Sequence, residues 1–165
     1  MLVGLSLAAG SCRTWAQLAP LVYSGLVTHV VDGDTVWVQT APSNETLKVR
    51  IDGIDAPEGC QPGGSSSRAA LTRHVKGRAV TLLANPRRLR DDYGRLLARV
   101  QLQDEDVGRW MVANGHAWSY SYRKDPGPYL MEQSGAKAAG LGLFDDPAAE
   151  NPREFRKRHG SCYPR

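Results

Sequence analysis

The chain has 165 residues, of which 41% are hydrophobic and 23% are charged. This length predicts a single domain, and the composition excludes collagen-like, coiled-coil and fully disordered proteins. The 21 Lys and Arg residues exceed the 17 Asp and Glu residues, which gives a net charge of +4, and 16 of the basic residues are Arg. This excess is compatible with an anionic partner and equally with the coding bias of a GC-rich genome. No apolar run approaches the roughly 20 residues that cross a bilayer, so no membrane span is predicted.

The first 16 residues are predicted to be a secretory signal peptide. An apolar stretch at 1–9 is followed by small or tolerated residues at 14–16, a pattern typical of cleavage before Gln17. No Lys or Arg precedes the apolar stretch, so a misplaced start codon and an ordinary buried strand are the alternatives. We therefore expect a domain over 17–155 and a C-terminal tail over 156–165.

The three cysteines support export. Removal of a signal peptide that contains Cys12 leaves Cys60 and Cys162, and an even pair in an exported protein favours a disulfide. Two buried free thiols are the alternative. We expect a secreted or periplasmic protein whose tail is anchored by this disulfide. A lipid anchor through Cys12 is the other possible location, because residues 9–12 loosely resemble a lipoprotein cleavage site.

Apolar patterning along the rest of the chain predicts a small barrel. Residues 62–67 are rich in Pro, Gly and Ser and are predicted to form a loop that leads into a helix. From Asp145 onward the sequence has no periodicity, so an irregular tail is expected. The predicted elements are a hairpin over 21–40, a strand over 47–51, a helix over 67–76, strands over 80–83 and 96–102, and helices over 107–114 and 129–139. This order outlines an α+β protein, a five-stranded Greek-key barrel of the OB type with about three helices.

Three short acidic segments lie at predicted strand ends or turns, at residues 32–34, 52–58 and 91–92. Barrel geometry can bring a strand start and a strand end to one rim, where Asp34 and Asp55 would offer carboxylate oxygens. Such ligands suit Ca²⁺ or Mg²⁺, and the Cys and His spacing of a zinc site is absent from the sequence. Each segment alone is typical of a turn with solvated carboxylates. The joint pattern indicates a metal-dependent site.

Three motifs, in this order, resemble the staphylococcal-nuclease-like (thermonuclease) family. They are Asp-Gly-Asp-Thr at 32–35, Arg50 followed by Asp-Ala-Pro-Glu at 55–58, and Asp-Tyr-Gly-Arg at 92–95. The resemblance covers residues 28–155. It implies a Ca²⁺-dependent, sugar-non-specific endonuclease on an OB-fold barrel, which hydrolyses DNA and RNA and leaves 3′-phosphates. A monomer is the default expectation.

The same resemblance assigns a role to the acidic residues. Asp34 and Asp55 would be direct Ca²⁺ ligands, together with the backbone carbonyl of Ala56. Asp32 would act on the cation through a water molecule. Glu58 would hydrogen-bond the attacking water, either as general base or as its positioner.

The resemblance also implies contacts with the substrate. Arg50 and Arg95 would clamp the scissile phosphate, because guanidinium groups stabilise the charge that grows on its oxygens. The expected aromatic contacts are Tyr93 on the terminal phosphate, and Tyr120 and Tyr122, which either stack on bases at the groove rim or pack in the fold.

Three departures from the family pattern are visible. Ala56 stands where a Thr is usual, which removes a hydroxyl but keeps the carbonyl. Asp92 replaces a basic residue beside Tyr93, and the register of Tyr120 and Tyr122 slips by one. Two other classes of function are the alternatives: a non-catalytic OB-fold module that binds nucleic acid or protein, and a Ca²⁺-stabilised extracellular domain that binds another polyanion. The presence of every acid and arginine named above argues against the first.

Overall fold

Eight strands and four α-helices are present in residues 18–162, the part of the chain that the structure, a computed structural model, describes. The strands are β1 (Leu21–Val30), β2 (Thr35–Thr40), β3 (Thr46–Ile51), β4 (Ile54–Asp55), β5 (Ala79–Ala84), β6 (Leu96–Leu102), β7 (Glu105–Asp106) and β8 (Trp118–Ser119). The helices are α1 (Gly64–Val75), α2 (Val107–Ala113), α3 (Leu130–Ala138) and α4 (Pro152–His159), with a short 3-10 helix over Gly142–Asp145.

Five of the strands close into a barrel. In the order β3-β2-β1-β5-β6, each strand pairs antiparallel with the next. The barrel closes where β3 and β6 pair in parallel, with Val49 opposite Leu96 and Ile51 opposite Ala98. Closure leaves these five strands without a free edge. The predicted α+β class and OB-type barrel are confirmed, with four α-helices in the described residues instead of about three.

Aliphatic side chains from alternate strand positions fill the barrel, as the two-residue period of a strand requires. Val36 and Val38 of β2 and Ile51 of β3 are fully buried. Helix α1 adds Leu71 to the same cluster, and α2 adds Met111. The core therefore runs without interruption from the barrel to α1, which lies between β4 and β5 in sequence, and to α2, which follows β7.

Helix α1 begins three residues earlier than predicted, at Gly64 instead of residue 67. Gly63 adopts a left-handed conformation with φ of +86°, which turns the chain sharply enough for the helix to start inside the predicted loop. The N–H of Ser67 donates to the carbonyl of Gly63 at 2.9 Å. The serines of this segment therefore lie in the first turn of the helix and do not cap it. The other predicted strands and helices agree with the structure to within one residue at each end.

The expectation of an irregular tail after Asp145 is wrong. Helix α4 covers Pro152–His159 and runs across the predicted boundary between the domain and the tail. The Asn151 side chain caps the helix by accepting from the N–H of Arg153, and Phe155 is 8% exposed, so the helix packs on the domain. The C-terminal segment is therefore part of the folded unit.

The predicted disulfide is confirmed. Cys60 and Cys162 are bonded across 102 residues, with their Cα atoms 5.7 Å apart. Cys60 lies between β4 and α1, and Cys162 follows α4, so the bond fastens the end of the chain to the segment after β4. The predicted signal peptide and Cys12 lie outside the described residues. Within residues 18–162 no helix has the length and apolar character needed to cross a membrane.

We predict that Leu71→Ala lowers the free energy of unfolding by about 2–5 kcal/mol, because it leaves a cavity in the core. Leu71 is fully buried, whereas Leu26 is 44% exposed. Leu26→Ala removes the same atoms and should cost about 0.5 kcal/mol or less. Urea denaturation followed by tryptophan fluorescence measures both variants. Equal losses would contradict the packing described above.

We predict that the double variant Cys60→Ala/Cys162→Ala loses about 2–5 kcal/mol of unfolding free energy, because the bond restricts the unfolded chain. The measurement is urea denaturation with and without a reductant. The reductant should destabilise the wild-type protein and leave the double variant unchanged. A wild-type protein that is indifferent to reduction would refute this contribution.

Candidate active site

The register of β2 and β3 places the first acidic residue beside the first arginine. Thr35, the first residue of β2, lies opposite Arg50 on β3. The N–H of Ile51 donates to the carbonyl of Asp34 at 2.8 Å. Asp34 is therefore fixed at the end of the barrel and is only 7% exposed.

The turn that carries Asp34 is held close to the rest of the rim. A Cβ on Gly33 would collide with the Ser67 side chain of α1 and with the Cβ of Ala56. Only glycine allows this approach. The turn between β1 and β2 is thus pressed against the segment that follows β4.

The second buried carboxylate reaches the same point from β4. Asp55 lies opposite Trp118 of β8 in a two-stranded sheet and is 2% exposed. The N–H of the next residue, Ala56, donates to Oδ2 of Asp34 at 3.1 Å. This bond joins the β4 segment to the β1–β2 turn, so two acids 21 positions apart in the sequence meet.

Arg50 lies between the two carboxylates. Its Nη2 is 3.2 Å from Oδ2 of Asp34 and 3.1 Å from Oδ1 of Asp55. Its Nη1 donates to the carbonyls of Ile51 and Ile54 at 3.2 and 2.9 Å. Burial alone would lower the pKa of Arg50, but the charges of Asp34 and Asp55 more than offset this and raise it. The guanidinium therefore stays charged, and contacts with four oxygen atoms hold it in place.

Glu58 is joined to Asp55 by a residue that the sequence had placed in the tail. Nη1 of Arg156, on α4, donates to Oε1 of Glu58 at 2.9 Å and to Oδ1 of Asp55 at 3.2 Å. Its Nη2 donates to Oδ2 of Asp55 at 2.9 Å. The backbone N–H of Glu58 donates to the side chain of Gln61 at 3.2 Å. Asp34, Asp55 and Glu58 therefore lie together at one rim of the barrel. The family resemblance assigns the first two as direct ligands and the third to the attacking water.

Arg95 reaches this rim from the loop before β6. Its Nη1 donates to Oγ1 of Thr35 at 3.0 Å, and that hydroxyl donates to Oδ1 of Asp34 at 3.0 Å. Asp91 accepts from Nε of Arg95 at 2.7 Å. These bonds fix the plane of the guanidinium and connect it to Asp34 through one hydroxyl.

Burial raises the pKa of two of the acids, Asp32 and Asp55. Desolvation and the neighbouring Asp34 carboxylate raise the pKa of Asp32 to about 7. Desolvation also raises the pKa of Asp55, against the lowering effect of its hydrogen bonds from Arg156. Oδ1 of Asp32 accepts from the N–H of Asp34 at 3.0 Å, so Asp32 lies next to Asp34. A nearby cation would stabilise the ionised forms of these acids.

The three tyrosines occupy different places. The Tyr120 ring lies 5.8 Å from the guanidinium carbon of Arg50, at the centre of the rim. Tyr93 is 65% exposed, and its ring lies 5.3 Å from the guanidinium carbon of Arg95. Tyr122 is 51% exposed in a turn closed with Asp125, and its ring contacts Arg123 at 5.3 Å. Tyr93 and Tyr120 therefore accompany the two site arginines, and Tyr122 accompanies a different one.

The donor chemistry fits a hard divalent cation. Within residues 18–162, no group of three or more His, Cys, Asp or Glu residues has the arrangement of a metal site. The predicted set contains only two direct side-chain ligands, Asp34 and Asp55, completed by a carbonyl and water, and so does not require such a group. Their two buried carboxylates converge on a single nitrogen of Arg50. Carboxylate and carbonyl oxygens with water are what Ca²⁺ and Mg²⁺ prefer.

Sequence reasoning missed three residues that organise the rim: Arg156, Thr35 and Asp91. Thr35 lies in the motif at 32–35, and Asp91 precedes the motif at 92–95. Their hydrogen bonds depend on side-chain geometry that a sequence does not specify. For Arg156 a signal was present. Asn-Pro at 151–152, a run of basic residues and Gly160 are typical of a capped helix.

Comparison with known proteins is consistent with this geometry. The family model described as "Staphylococcal nuclease homologue" matches residues 48–146. The chain is 38% identical over 133 residues to an "Uncharacterized endonuclease" of Haemophilus influenzae, covering 80% of this chain and 72% of that protein. It is 32% identical to "Micrococcal nuclease" of Shigella flexneri, covering 89% and 85%. It is 33% identical to "Protein ParB" of Escherichia coli, covering 87% and 81%. With its OB-type barrel, the chain belongs to the staphylococcal nuclease-like family.

Proposed function

We propose that the protein is a Ca²⁺-dependent, sugar-non-specific endonuclease that hydrolyses DNA and RNA. The observation that carries this proposal is the meeting of Asp34, Asp55 and Glu58 with Arg50 and Arg95 at one barrel rim. Two arginines beside buried acids suit a substrate whose reacting centre is an anion. The names of the related nucleases in bacteria point to the same chemistry.

Asp34 and Asp55 would hold the Ca²⁺ ion, with the Ala56 carbonyl and, through water, Asp32. When bound, the ion neutralises part of the phosphate charge and helps to orient the attacking water. Asp34 is prepared for this role because its carboxylate is fixed by the Thr35 hydroxyl and the Ala56 N–H. The acids therefore need little reorganisation when the substrate arrives.

Glu58 is the group best placed to take a proton from the water. It lies within the cluster but outside the proposed direct ligands, and its side chain is 15% exposed. As the water oxygen bonds to phosphorus, one of its protons would pass to Glu58, the bond from phosphorus to the 5′-oxygen would break, and the departing 5′-oxygen would take up a proton from solvent. The phosphate then stays on the 3′-oxygen of the preceding nucleotide. A positioned carboxylate base contributes about 10²–10⁴-fold to such a step.

Arg50 and Arg95 would stabilise the charge that develops on the phosphate oxygens. Arg50 is anchored by two carbonyls as well as two carboxylates, and Arg95 is anchored by Asp91 and Thr35. Tyr93 and Tyr120 lie against these arginines and offer rings for the neighbouring nucleotide. Tyr122 is a more peripheral candidate for the same role.

We also propose that the protein works outside the cytoplasm, secreted or periplasmic, as a monomer. The support for this location is the disulfide between Cys60 and Cys162, because such bonds persist in oxidising compartments. The apolar stretch at residues 1–9, which is predicted to be part of a signal peptide, agrees with export.

We predict that the purified protein cleaves single-stranded DNA and RNA in Ca²⁺ and loses this activity in EDTA, because the cation supplies part of the charge neutralisation. The measurement is release of labelled fragments, with end analysis for 3′-phosphate. Equal turnover in Ca²⁺ and in EDTA would refute the metal dependence. Tight, Ca²⁺-independent DNA binding without cleavage would favour the alternative of a non-catalytic binding module.

We predict that Glu58→Gln and Arg95→Ala each lower kcat by at least about 10²-fold, because one removes the base and the other a donor to the developing charge. The controls are Glu154→Gln and Arg99→Ala, which make the same changes at exposed positions of α4 and β6. Steady-state cleavage of an oligonucleotide, with circular dichroism to confirm folding, measures the effect. Near-normal rates in folded Glu58→Gln or Arg95→Ala would break the role assignment.

A further inference from the structure

We propose that Arg156 is an internal counter-cation that competes with the divalent cation for Asp55 and thereby sets the affinity of the site for that cation. The inference rests on the proposed function, since it concerns the same carboxylates. Arg156 lies outside the segment matched by the family model, which ends at residue 146.

The contacts of Arg156 are directed at the acids. Its guanidinium is bidentate on Asp55, with Nη1 on Oδ1 at 3.2 Å and Nη2 on Oδ2 at 2.9 Å, and Nη1 also reaches Glu58 at 2.9 Å. These carboxylates raise the pKa of Arg156 further, against the effect of burial, so the group carries a permanent charge. A permanently charged guanidinium is therefore hydrogen-bonded to a carboxylate oxygen that the proposed cation would need as a ligand.

Two arginines share Asp55, and they differ in how firmly they are held. The side chain of Arg50 is 14% exposed and also donates to the carbonyls of Ile51 and Ile54. The side chain of Arg156 is 32% exposed, and its bonds in the site all go to carboxylates. Arg50 is therefore the fixed partner of Asp55, and Arg156 is the partner that can move outward into solvent.

The lone pairs of Asp55 show what such a movement would release. Each carboxylate oxygen can accept about two hydrogen bonds. Oδ1 accepts from both Arg50 and Arg156, whereas Oδ2 accepts from Arg156. When Nη2 of Arg156 leaves Oδ2, that oxygen becomes fully available as a ligand. The exchange replaces a single positive charge by a double one on the same oxygen.

The charge of the cluster leads to the same conclusion. Ionised Asp34, Asp55 and Glu58 carry three negative charges, and Arg50 and Arg156 balance two of them. Without Arg156 the cluster would attract a divalent cation more strongly. It would also lose stability in the absence of a cation, because Glu58 would lose its ion pair and Asp55 would lose one of its two.

The backbone of α4 can stay in place while the side chain moves. Phe155 packs into the domain, and Nε2 of Gln61 donates to the carbonyl of Glu150 at 2.7 Å. The bond between Cys60 and Cys162 holds the far end of the helix. Exchange at Asp55 therefore requires a rotamer change of Arg156 and not the undocking of α4.

The test is titration of Ca²⁺ into the full-length disulfide-bonded protein by isothermal titration calorimetry. We expect Arg156→Gln to bind Ca²⁺ at least about tenfold more tightly than the wild-type protein, since a competing charge is removed. Arg156→Lys keeps the charge without the bidentate geometry and should lie between the two. Arg153→Gln is the matched control. It removes the same charge from an exposed position of α4 and should change the affinity less than about threefold.

Thermal melting gives a second readout that a purely structural role would not reproduce. Without a cation, Arg156→Gln should melt at a lower temperature than the wild-type protein, and Ca²⁺ should raise its melting temperature by the larger amount. If Arg156 had only a structural role, Arg156→Gln would melt below the wild-type protein by the same amount with and without Ca²⁺. Equal or weaker Ca²⁺ binding by folded Arg156→Gln, while the wild-type protein binds Ca²⁺ and cleaves DNA, would overturn this inference alone. Absence of Ca²⁺ binding in every variant would overturn the proposed cation site together with it.

Discussion

The arrangement of the rim depends on the cost of burying Asp34 and Asp55 close together. Removing one ionised carboxylate from water costs about several kcal/mol, and two neighbouring carboxylates also repel each other. Ion pairs with Arg50 on β3 and with Arg156 on α4 offset this cost. The register of β2 on β3 and the position of α4 are therefore both tied to the same pair of charges.

This balance connects folding with the proposed chemistry. A fully neutralised cluster would bind a cation weakly, and an unpaired cluster would destabilise the fold. The observed set keeps one arginine fixed on backbone carbonyls and a second one exposed to solvent at its outer edge. Such a cluster would be stable on its own and would still attract the proposed divalent ion. Arg95 has no direct bond to these carboxylates in the described structure, because it is held by Asp91 and by the hydroxyl of Thr35.

The meeting of the acidic segments could be predicted from the sequence, because the motifs at 32–35, 55–58 and 92–95 lie in turns and strand ends of the barrel that the apolar patterning outlined. The individual roles of Arg50, Glu58 and Arg95 came from the family resemblance and stay predictions. The start of α1 could not be predicted, because it depends on the conformation of Gly63. Arg156 was missed because a short, highly charged helix shows little apolar periodicity. Its capping residues were the better signal.

The contact between α4 and the segment after β4 has a consequence for the reaction. That segment is held on one side by the pairing of β4 with β8 and on the other by Gln61 and the disulfide of Cys60. Glu58 lies between these two attachments, so the backbone that carries this proposed base is restrained before any substrate binds. A base that is already positioned requires less reorganisation in the transition state. The C-terminal helix would therefore contribute to the proposed catalytic site in the same sense as the barrel strands, since both restrict where Glu58 can lie.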